Sequence, residues 1–257
     1  MPESSKKAPP RAALITGAGR RIGRAIALAL SHAGYAVVLH ANSSRAEAEK
    51  LAAEIVSAGG RAAVVLADLT QHDAVRGLVP AAGAFGALTL LVNNAGVFEP
   101  DEIETLDRAR LERALAVNLM APLFLAQAFA AQAPKDAGAS IVNIVDQRVF
   151  KPTPRFFSYT LSKSALHGAT TTLAQGLAPH VRVNAVAPGP TLPSPRQSEA
   201  QFAAQVVSLP LERGPAPEEI AAAVLYLAQA GSVTGVTLAV DGGQHLAWRT
   251  PDSDIAE

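Results

Sequence analysis

A tyrosine and a lysine four residues apart, Tyr159 and Lys163, stand in a stretch of helical composition. At that spacing both side chains project from one face of a helix. An ammonium group favours the phenolate, so Lys163 is expected to lower the pKa of Tyr159 and make the tyrosine a usable proton donor. The alternative is an ordinary pair of exposed polar residues, and the residues elsewhere in the chain decide between the two.

Asp146 stands upstream of this pair, directly after the apolar run at 140–145. An ionised carboxylate cannot donate a hydrogen bond, and beside a developing alkoxide it would repel the negative charge. Asp146 can instead accept from the N–H groups of a nitrogen heterocycle, or supply a proton to an imine nitrogen if burial raises its pKa. The set therefore favours chemistry at C=N over chemistry at C=O.

Short apolar runs rich in branched residues alternate along the chain with longer stretches rich in alanine and leucine. This alternation is typical of a parallel sheet covered by helices on both faces. It predicts an α/β fold, a single doubly wound Rossmann domain with a mainly parallel seven-stranded sheet. Strands are expected at 12–16, 36–40, 62–67, 88–93, 140–145, 181–187 and 236–240, and helices at 22–33, 45–58, 71–82, 106–133, 157–178 and 217–229.

We expect one domain at 11–246, preceded by a disordered leader at 1–10 and followed by a C-terminal tail at 247–257. The least regular internal segment is the proline-rich stretch at 188–217, which follows the sixth expected strand directly. Ligands of such sheets bind beyond the carboxyl ends of the strands, so this segment is expected to cover a substrate site.

The composition limits the classes of partner. The 257 residues carry 22 basic and 22 acidic side chains and no cysteine. Zero net charge gives neither a nucleic acid nor a membrane surface an electrostatic attraction, so a small molecule is the expected partner. Without cysteine there are no disulfides, and the cytoplasm is the expected location. The six histidines show no paired spacing of the HExxH kind, so no metal site is expected.

A glycine-rich turn, TGAGRRIG at 16–23, joins the first expected strand to the first expected helix. Gly17 permits the tight turn, the N–H groups at the helix start can meet an anion, and Gly23 lets helix and strand pack closely. Arg21 stands where a third glycine of the common dinucleotide fingerprint would be expected, and its guanidinium can reach a phosphate or a bound ligand. The turn predicts a phosphate cradle.

The end of the second expected strand carries four polar residues and then a cation, with no acid before Glu47. A binder of the unphosphorylated cofactor usually has an acid here for the ribose hydroxyls. Hydroxyls, an amide and a cation, with Arg20 nearby, instead suit a 2′-phosphate, so NADPH is favoured over NADH. The same residues could merely cap the next helix. The four are His40, Asn42, Ser43 and Ser44.

Two further motifs fall at the ends of expected strands. Asp68, within ADLT, could accept from an adenine amino group or simply cap the following helix. The motif NNAG at 93–96 places small residues where the backbone can approach a flat ligand closely.

Together these motifs resemble the short-chain dehydrogenase/reductase family over about residues 11–246. NNAG, Asn118 within VNLMAP, and YTLSK, which matches the YxxxK signature, carry the resemblance with the glycine turn. It implies that Tyr159 donates the proton, that Lys163 binds the nicotinamide ribose and tunes the tyrosine, and that Asn118 holds a water of the proton relay. The cofactor is then expected to contact Gly17, Arg20, Arg21, Ile22, Gly23, His40, Asn42, Ser43, Ser44, Asp68, Leu69, Asn94, Ala95, Gly96, Tyr159, Lys163, Pro188, Gly189 and Thr191.

Most members of that family carry a serine at the position of Asp146. The sequence is similar to the one branch that has an acid there, the pteridine reductases and the related dihydromonapterin and dihydrofolate reductases. The similarity includes Arg21, LHANSS at 39–44 and NNAGVFEP at 93–100. It implies that Phe98 stacks on a pterin opposite the nicotinamide. The residues expected to contact substrate are Arg21, Phe98, Asp146 and Tyr159.

Gly96 departs mildly from that branch, because several pteridine reductases carry a serine there. The expected function is hydride transfer from NADPH to a C=N bond of a dihydropterin or a related heterocycle. Two alternatives stay open: the same apparatus acting on another cyclic imine or a keto metabolite, and a non-catalytic NADP-binding sensor. Members of the family are commonly tetramers or dimers, so a homo-oligomer is also expected.

Overall fold

The computed structural model describes residues 11–135 and 137–248. Seven strands form one sheet in the order β3-β2-β1-β4-β5-β6-β7, and every neighbouring pair is parallel. The expected α/β fold is confirmed, and the sheet is wholly rather than mainly parallel. The strands are β1 Arg11–Ile15, β2 Ala36–Ala41, β3 Ala62–Leu66, β4 Ala87–Asn93, β5 Ala139–Ile144, β6 Val181–Pro188 and β7 Thr237–Val240.

Helices connect the strands and cover both faces of the sheet. They are α1 Arg21–His32, α2 Arg45–Ser57, α3 His72–Gly83, α4 Arg108–Leu115, α5 Ala121–Gln132, α6 Phe157–Leu177, α7 Glu199–Val207 and α8 Pro217–Gln229. The expected leader at 1–10 and most of the expected tail lie outside the described residues.

One expected element has an internal feature that the sequence did not predict. The helix expected at 106–133 runs without a break from Arg108 to Gln132, but a π-helical turn, Ala116–Met120, joins α4 to α5 inside it. Asp107 caps its start by accepting from Arg110 N. Because a π turn changes the hydrogen-bond spacing and not the residue composition, the sequence pattern runs through it unbroken. The segment at 188–217, expected to be the least regular, contains one helix, α7.

Two apolar layers hold the helices on the sheet. Alternate residues of β1 enter opposite layers: Ala13 and Ile15 pack with α1, α2 and α8, whereas Ala12 and Leu14 pack with α3, α5 and α6. This is the period of two expected of a strand, with both faces buried as in a parallel sheet. The sheet is thereby fixed from both sides, and the carboxyl ends of its strands become a rigid platform.

One stretch of the described chain, Arg108–Gln132, is long and apolar enough to cross a membrane by length and composition alone. In the fold, Leu125, Ala126 and Phe129 of this stretch are fully buried in the apolar layer that α5 shares with α3 and the sheet. Core packing therefore accounts for its apolar character.

Candidate active site

A cleft of about 1240 Å³ lies at the carboxyl ends of the strands. Its wall is built from the glycine turn after β1, the ends of β2, β4, β5 and β6, one face of α6 and part of the segment at 188–217. In open parallel sheets, ligands bind at this edge. Every residue expected to contact cofactor or substrate lines the cleft, and of the residues expected to be catalytic only Asn118 does not.

Three side chains expected to carry the chemistry meet at the floor of the cleft. The Tyr159 hydroxyl donates to Oδ2 of Asp146 at 2.9 Å, and Arg148 N donates to Oδ1 of the same carboxylate, also at 2.9 Å. Lys163 Nζ donates to the main-chain oxygen of Ile144 at 2.6 Å and lies 5.9 Å from the centre of the Tyr159 ring. The turn after β5 supplies the acid, and α6 supplies the tyrosine and the lysine.

The expected lowering of the Tyr159 pKa is wrong for this arrangement. Burial raises the pKa of Tyr159 well above its usual value, and the charge and hydrogen bond of Asp146 raise it further. Burial also raises the pKa of Asp146, which Arg148 and Tyr159 partly offset. Burial is the largest cause of both shifts, and the acid hydrogen-bonded to the phenol raises the Tyr159 pKa further, so the phenol keeps its proton tightly.

Lys163 is the buried cation of the site. Burial lowers its pKa to about 8, and the charge of Asp146 limits that fall. The lysine therefore changes its charge close to neutral pH, which no exposed lysine does.

Asn118 lies behind the cleft, fully buried in the π turn. Its Oδ1 accepts from Val97 N at 2.8 Å, and its Nδ2 donates to Val97 O and to Ser162 Oγ, each at 3.0 Å. These bonds tie the loop that carries Phe98 to the helix that carries Tyr159. The expected part of Asn118 in a water relay stays a prediction.

The glycine turn is tightly built. Gly17 has a φ of +63°, in the left-handed region, and a Cβ on Gly23 would overlap the main-chain oxygen of Gly17. Gly17 N donates to Nδ1 of His40 at 3.2 Å, and Nε2 of His40 donates to Ala67 O at 3.1 Å. Since both ring nitrogens serve main-chain groups and burial lowers its pKa, His40 is a neutral brace for the turn.

Few interactions within the protein involve the side chains of the polar residues after β2. Asn42, Ser43 and Ser44 line the cleft, and Ser44 stands at the N-cap of α2 without a side-chain cap hydrogen bond. By contrast, Asp68 accepts from Thr70 N at 2.9 Å, which also lowers its pKa. This bond closes a turn ahead of α3 and does not cap that helix, whose N-cap is Gln71, so the expected helix cap by Asp68 is not formed.

Arg21 joins the two ends of the cleft. Its backbone has a φ of +54°, and its guanidinium donates to Pro193 O at 2.9 Å and to Leu192 O at 3.1 Å. A left-handed backbone is unusual for a residue with a long side chain, and such strain persists where surrounding structure holds it. Here Arg21 fastens the segment at 188–217 to the glycine turn.

Comparison with known proteins decides the family. The short chain dehydrogenase family matches residues 11–203. The chain belongs to the short-chain dehydrogenase family. An uncharacterised oxidoreductase of Methylorubrum extorquens is 39% identical to this short-chain dehydrogenase over 244 residues, which are 91% of this chain and 97% of the relative. The 3-oxoacyl-[acyl-carrier-protein] reductase of Synechocystis is 33% identical over 237 residues, 90% of this chain and 95% of the relative.

A solved structure is more similar still. FolM alternative dihydrofolate reductase 1 from Brucella suis, in complex with NADP, is 51% identical and superimposes with a TM-score of 0.91, covering 94% of this chain and 97% of that one. The family expected from the glycine turn and the YxxxK signature is confirmed. The neighbour bears the name of a dihydrofolate reductase, one of the activities of the branch that the sequence resembles.

The sequence motifs of this short-chain dehydrogenase missed four residues at the substrate end of the cleft. Phe156, with a φ of +58°, stacks on Phe98 with 4.2 Å between ring centres and 3° between planes. The guanidinium of Arg148 lies 5.5 Å from the Phe98 ring centre, and that of Arg196 lies 5.9 Å from it. Gln147 is buried beside them. Proximity in sequence was a signal for three of them, since Gln147 and Arg148 follow Asp146 and Phe156 precedes Tyr159. Arg196 lies in the segment at 188–217, which was expected to cover the substrate without any residue of it being singled out for this end of the cleft.

Proposed function

We propose that this short-chain dehydrogenase is an NADPH-dependent reductase that transfers hydride to a C=N bond of a pterin-type substrate. The observation that carries the proposal is the hydrogen bond between Tyr159 and Asp146 at the floor of the cleft. A carboxyl group at this place suits a nitrogen that gains a proton, whereas an alkoxide beside it would be repelled.

The described residues fit a phosphorylated dinucleotide. The first turn of α1 lines the cleft, and helix starts leave N–H groups that favour anions. Gly17 and Gly23 let the turn pack tightly against Ala95 and Asn94, both glycines line the cleft, and Arg20 adds positive charge there. The residues that would hold the 2′-phosphate are Asn42, Ser43 and Ser44. When bound, the reduced nicotinamide supplies a hydride to the carbon of the C=N bond.

Asp146 and Tyr159 hold the proton that the nitrogen then requires. If Tyr159 gave up its proton beside an ionised Asp146, two anions would be left 2.9 Å apart. The reactive form of the pair therefore carries an additional proton on Asp146, whereas the ionised form of Asp146 is the one that raises the pKa of Lys163. Asp146 either protonates the ring nitrogen or replaces the proton that Tyr159 gives, so one hydride and one proton convert C=N to CH–NH.

Phe98 offers a planar substrate a stacking surface, and Phe156 already covers one of its faces. A heterocycle stacked on Phe98 uses the other face or displaces Phe156. Lys163 would hold the nicotinamide ribose, and Arg21 would order the segment that covers both ligands.

A second candidate is a ketone reductase, because a relative at 33% identity bears the name of a 3-oxoacyl-[acyl-carrier-protein] reductase. Another cyclic imine is equally compatible with the hydrogen-bonded acid and tyrosine. A non-catalytic NADP sensor is the least favoured, since the acid, tyrosine and lysine lie together in the cleft. We further propose a cytoplasmic homo-oligomer, dimer or tetramer.

The test is Asp146→Ser, assayed by NADPH oxidation with dihydrobiopterin, dihydromonapterin and dihydrofolate beside a panel of ketones and cyclic imines. Wild type is expected to reduce the pterins, and the variant to lose at least about a hundredfold in kcat for them, because the acid of the pair is gone. Some turnover of ketones is expected to appear.

The matched control is Asp107→Ser, in which serine can still cap α4 at a position that does not line the cleft. It is expected to keep wild-type kinetics. Wild-type turnover of ketones alone, or unchanged pterin kinetics in Asp146→Ser, would contradict the proposed function.

A further inference from the structure

The substrate end of the cleft has more positive charge than its chemistry uses. Six Lys or Arg residues line the whole cleft against three Asp or Glu residues, in a chain whose formal net charge is zero. Arg20, Arg21 and the residues after β2 lie at the nucleotide end, where phosphates would neutralise them. Arg148 and Arg196 lie at the opposite end, around the Phe98 ring.

Arg148 is a poorly paired guanidinium. Its side chain is only 20% exposed, and its Nε is buried without a hydrogen-bond partner among the described residues. The nearest carboxylate oxygen, Oδ1 of Asp146, lies 3.7 Å from Nη1, beyond hydrogen-bond distance. That oxygen already accepts from Arg148 N, and Oδ2 accepts from Tyr159. A buried donor left without an acceptor is costly, so the Arg148 side chain would gain by turning to meet an acceptor that a ligand supplies.

The aromatic pair fixes where such a partner would sit. Arg148 lies 5.5 Å from the ring centre of Phe98 and 5.3 Å from that of Phe156, so its guanidinium is held beside the stack. Arg196, from the segment at 188–217, donates to Phe98 O at 2.6 Å and lies over the same ring. Two guanidinium groups thus flank one stacking surface.

We infer that Arg148 and Arg196 form an anion-binding subsite, which favours a planar heterocycle that carries a carboxylate on its side chain. Guanidinium groups match carboxylates with two parallel hydrogen bonds, and the aromatic pair would support the flat part of the ligand. The inference rests on the proposed function and narrows it to reduced pterins with an acidic tail, as in folates, over pterins with a neutral tail.

The test measures equilibrium binding rather than turnover. Folate and its dimethyl ester share one skeleton and differ in the charge of the tail, and each is titrated into wild-type protein saturated with NADP+. Wild type is expected to bind folate about tenfold or more tightly than the ester. Arg196→Met and Arg148→Met are each expected to remove most of that preference by weakening folate, while the ester changes less than about twofold.

Arg108→Met is the matched control, because Arg108 is exposed on α4, pairs with Glu112 and does not line the cleft. It is expected to keep the wild-type preference. Arg196 is exposed, so its variant tests the inference even if Arg148→Met does not fold.

Three results would overturn the inference: equal affinity of wild type for folate and the ester, equal losses for both ligands in the variants, or an equal loss of NADPH affinity, which would assign the guanidinium groups to the cofactor. These results differ from failure of the proposed function, which is read from NADPH oxidation. If the protein prefers folate to its ester but reduces no pterin, the result supports the subsite and contradicts the proposed reaction.

Discussion

Lys163 is a buried ammonium group, and two neighbouring groups affect its position and its pKa. Ile144 O accepts from its ammonium at 2.6 Å, while Asp146 supplies the negative charge that keeps the pKa from falling below about 8. In the proposed function this ammonium holds the nicotinamide ribose. Cofactor affinity should therefore follow the charge of a single side chain.

The dissociation constant of NADPH is predicted to rise as the pH passes through about 8. The sign follows from the lowered pKa: below about 8 Lys163 is charged and binds, and above it the neutral amine loses a charge-assisted hydrogen bond. We expect affinity to weaken about tenfold between pH 7 and pH 10, measured by fluorescence titration.

Lys163→Arg is the control for this prediction, because a guanidinium stays charged across that range. Its NADPH affinity should be lower but flat with pH. Asp146→Asn should move the onset to lower pH, since the carboxylate raises the lysine pKa. An onset that stays near pH 8 in Lys163→Arg would show that another group is responsible.

At the scale of elements, the cleft depends on ties between segments that are far apart in the chain. Arg21 at the start of α1 holds Leu192 O and Pro193 O, in the segment that also carries Arg196 and α7. Both ties end on main-chain oxygens, so they restrain the path of the segment whatever its side chains are. The order of the covering segment should thus depend on one side chain of the glycine turn.

Arg21→Met is predicted to loosen the segment around 190–197 without unfolding the sheet. Amide hydrogen exchange there should become about tenfold faster, because two hydrogen bonds from a charged donor are lost, while amides of β1 and β4 keep their protection. Arg20→Met is the matched control, since Arg20 is the exposed neighbour and is not bonded to Leu192 or Pro193. Equally faster amide exchange in both variants would show that the hydrogen bonds of Arg21 do not hold this segment.

The strands are the most predictable elements of this fold. Strand β2 is buried at all six positions and five of its six residues are apolar, and the expected range of 36–40 ends one residue short. Burial on both faces is what makes such runs continuous. The π turn at Ala116–Met120 has no such signature, because Asn118 sits in a sequence as helical as its flanks.

The candidate site divides in the same way. Gly17, Tyr159 and Lys163 belong to motifs with local spacing, so their meeting at the cleft follows once the strand order is known. Arg148 and Phe156 belong to no motif. Their contact depends on how the turn after β5 packs against the start of α6, and that arrangement is tertiary.

At the scale of the whole molecule, the sheet has two edge strands among the described residues, β3 and β7. Large apolar side chains are exposed around β7: Tyr226 on α8, Leu238 on the strand, and Leu246 and Trp248 after it. Natural proteins cover exposed edges and apolar patches, because both invite association. We expect this face to be the contact of the proposed homo-oligomer.

Trp248 is the one tryptophan in the sequence and is 71% exposed in the single chain, so it reports on that contact directly. In an oligomer formed through this face its fluorescence should be blue-shifted and shielded from iodide, and dilution should reverse both. Leu246→Asp should weaken association about tenfold or more, because a charge would be buried at the contact, seen by sedimentation and by a red shift. Val56→Asp, at an exposed apolar position on α2, should leave assembly unchanged. A monomer with fully quenchable Trp248 at every concentration would exclude the contact.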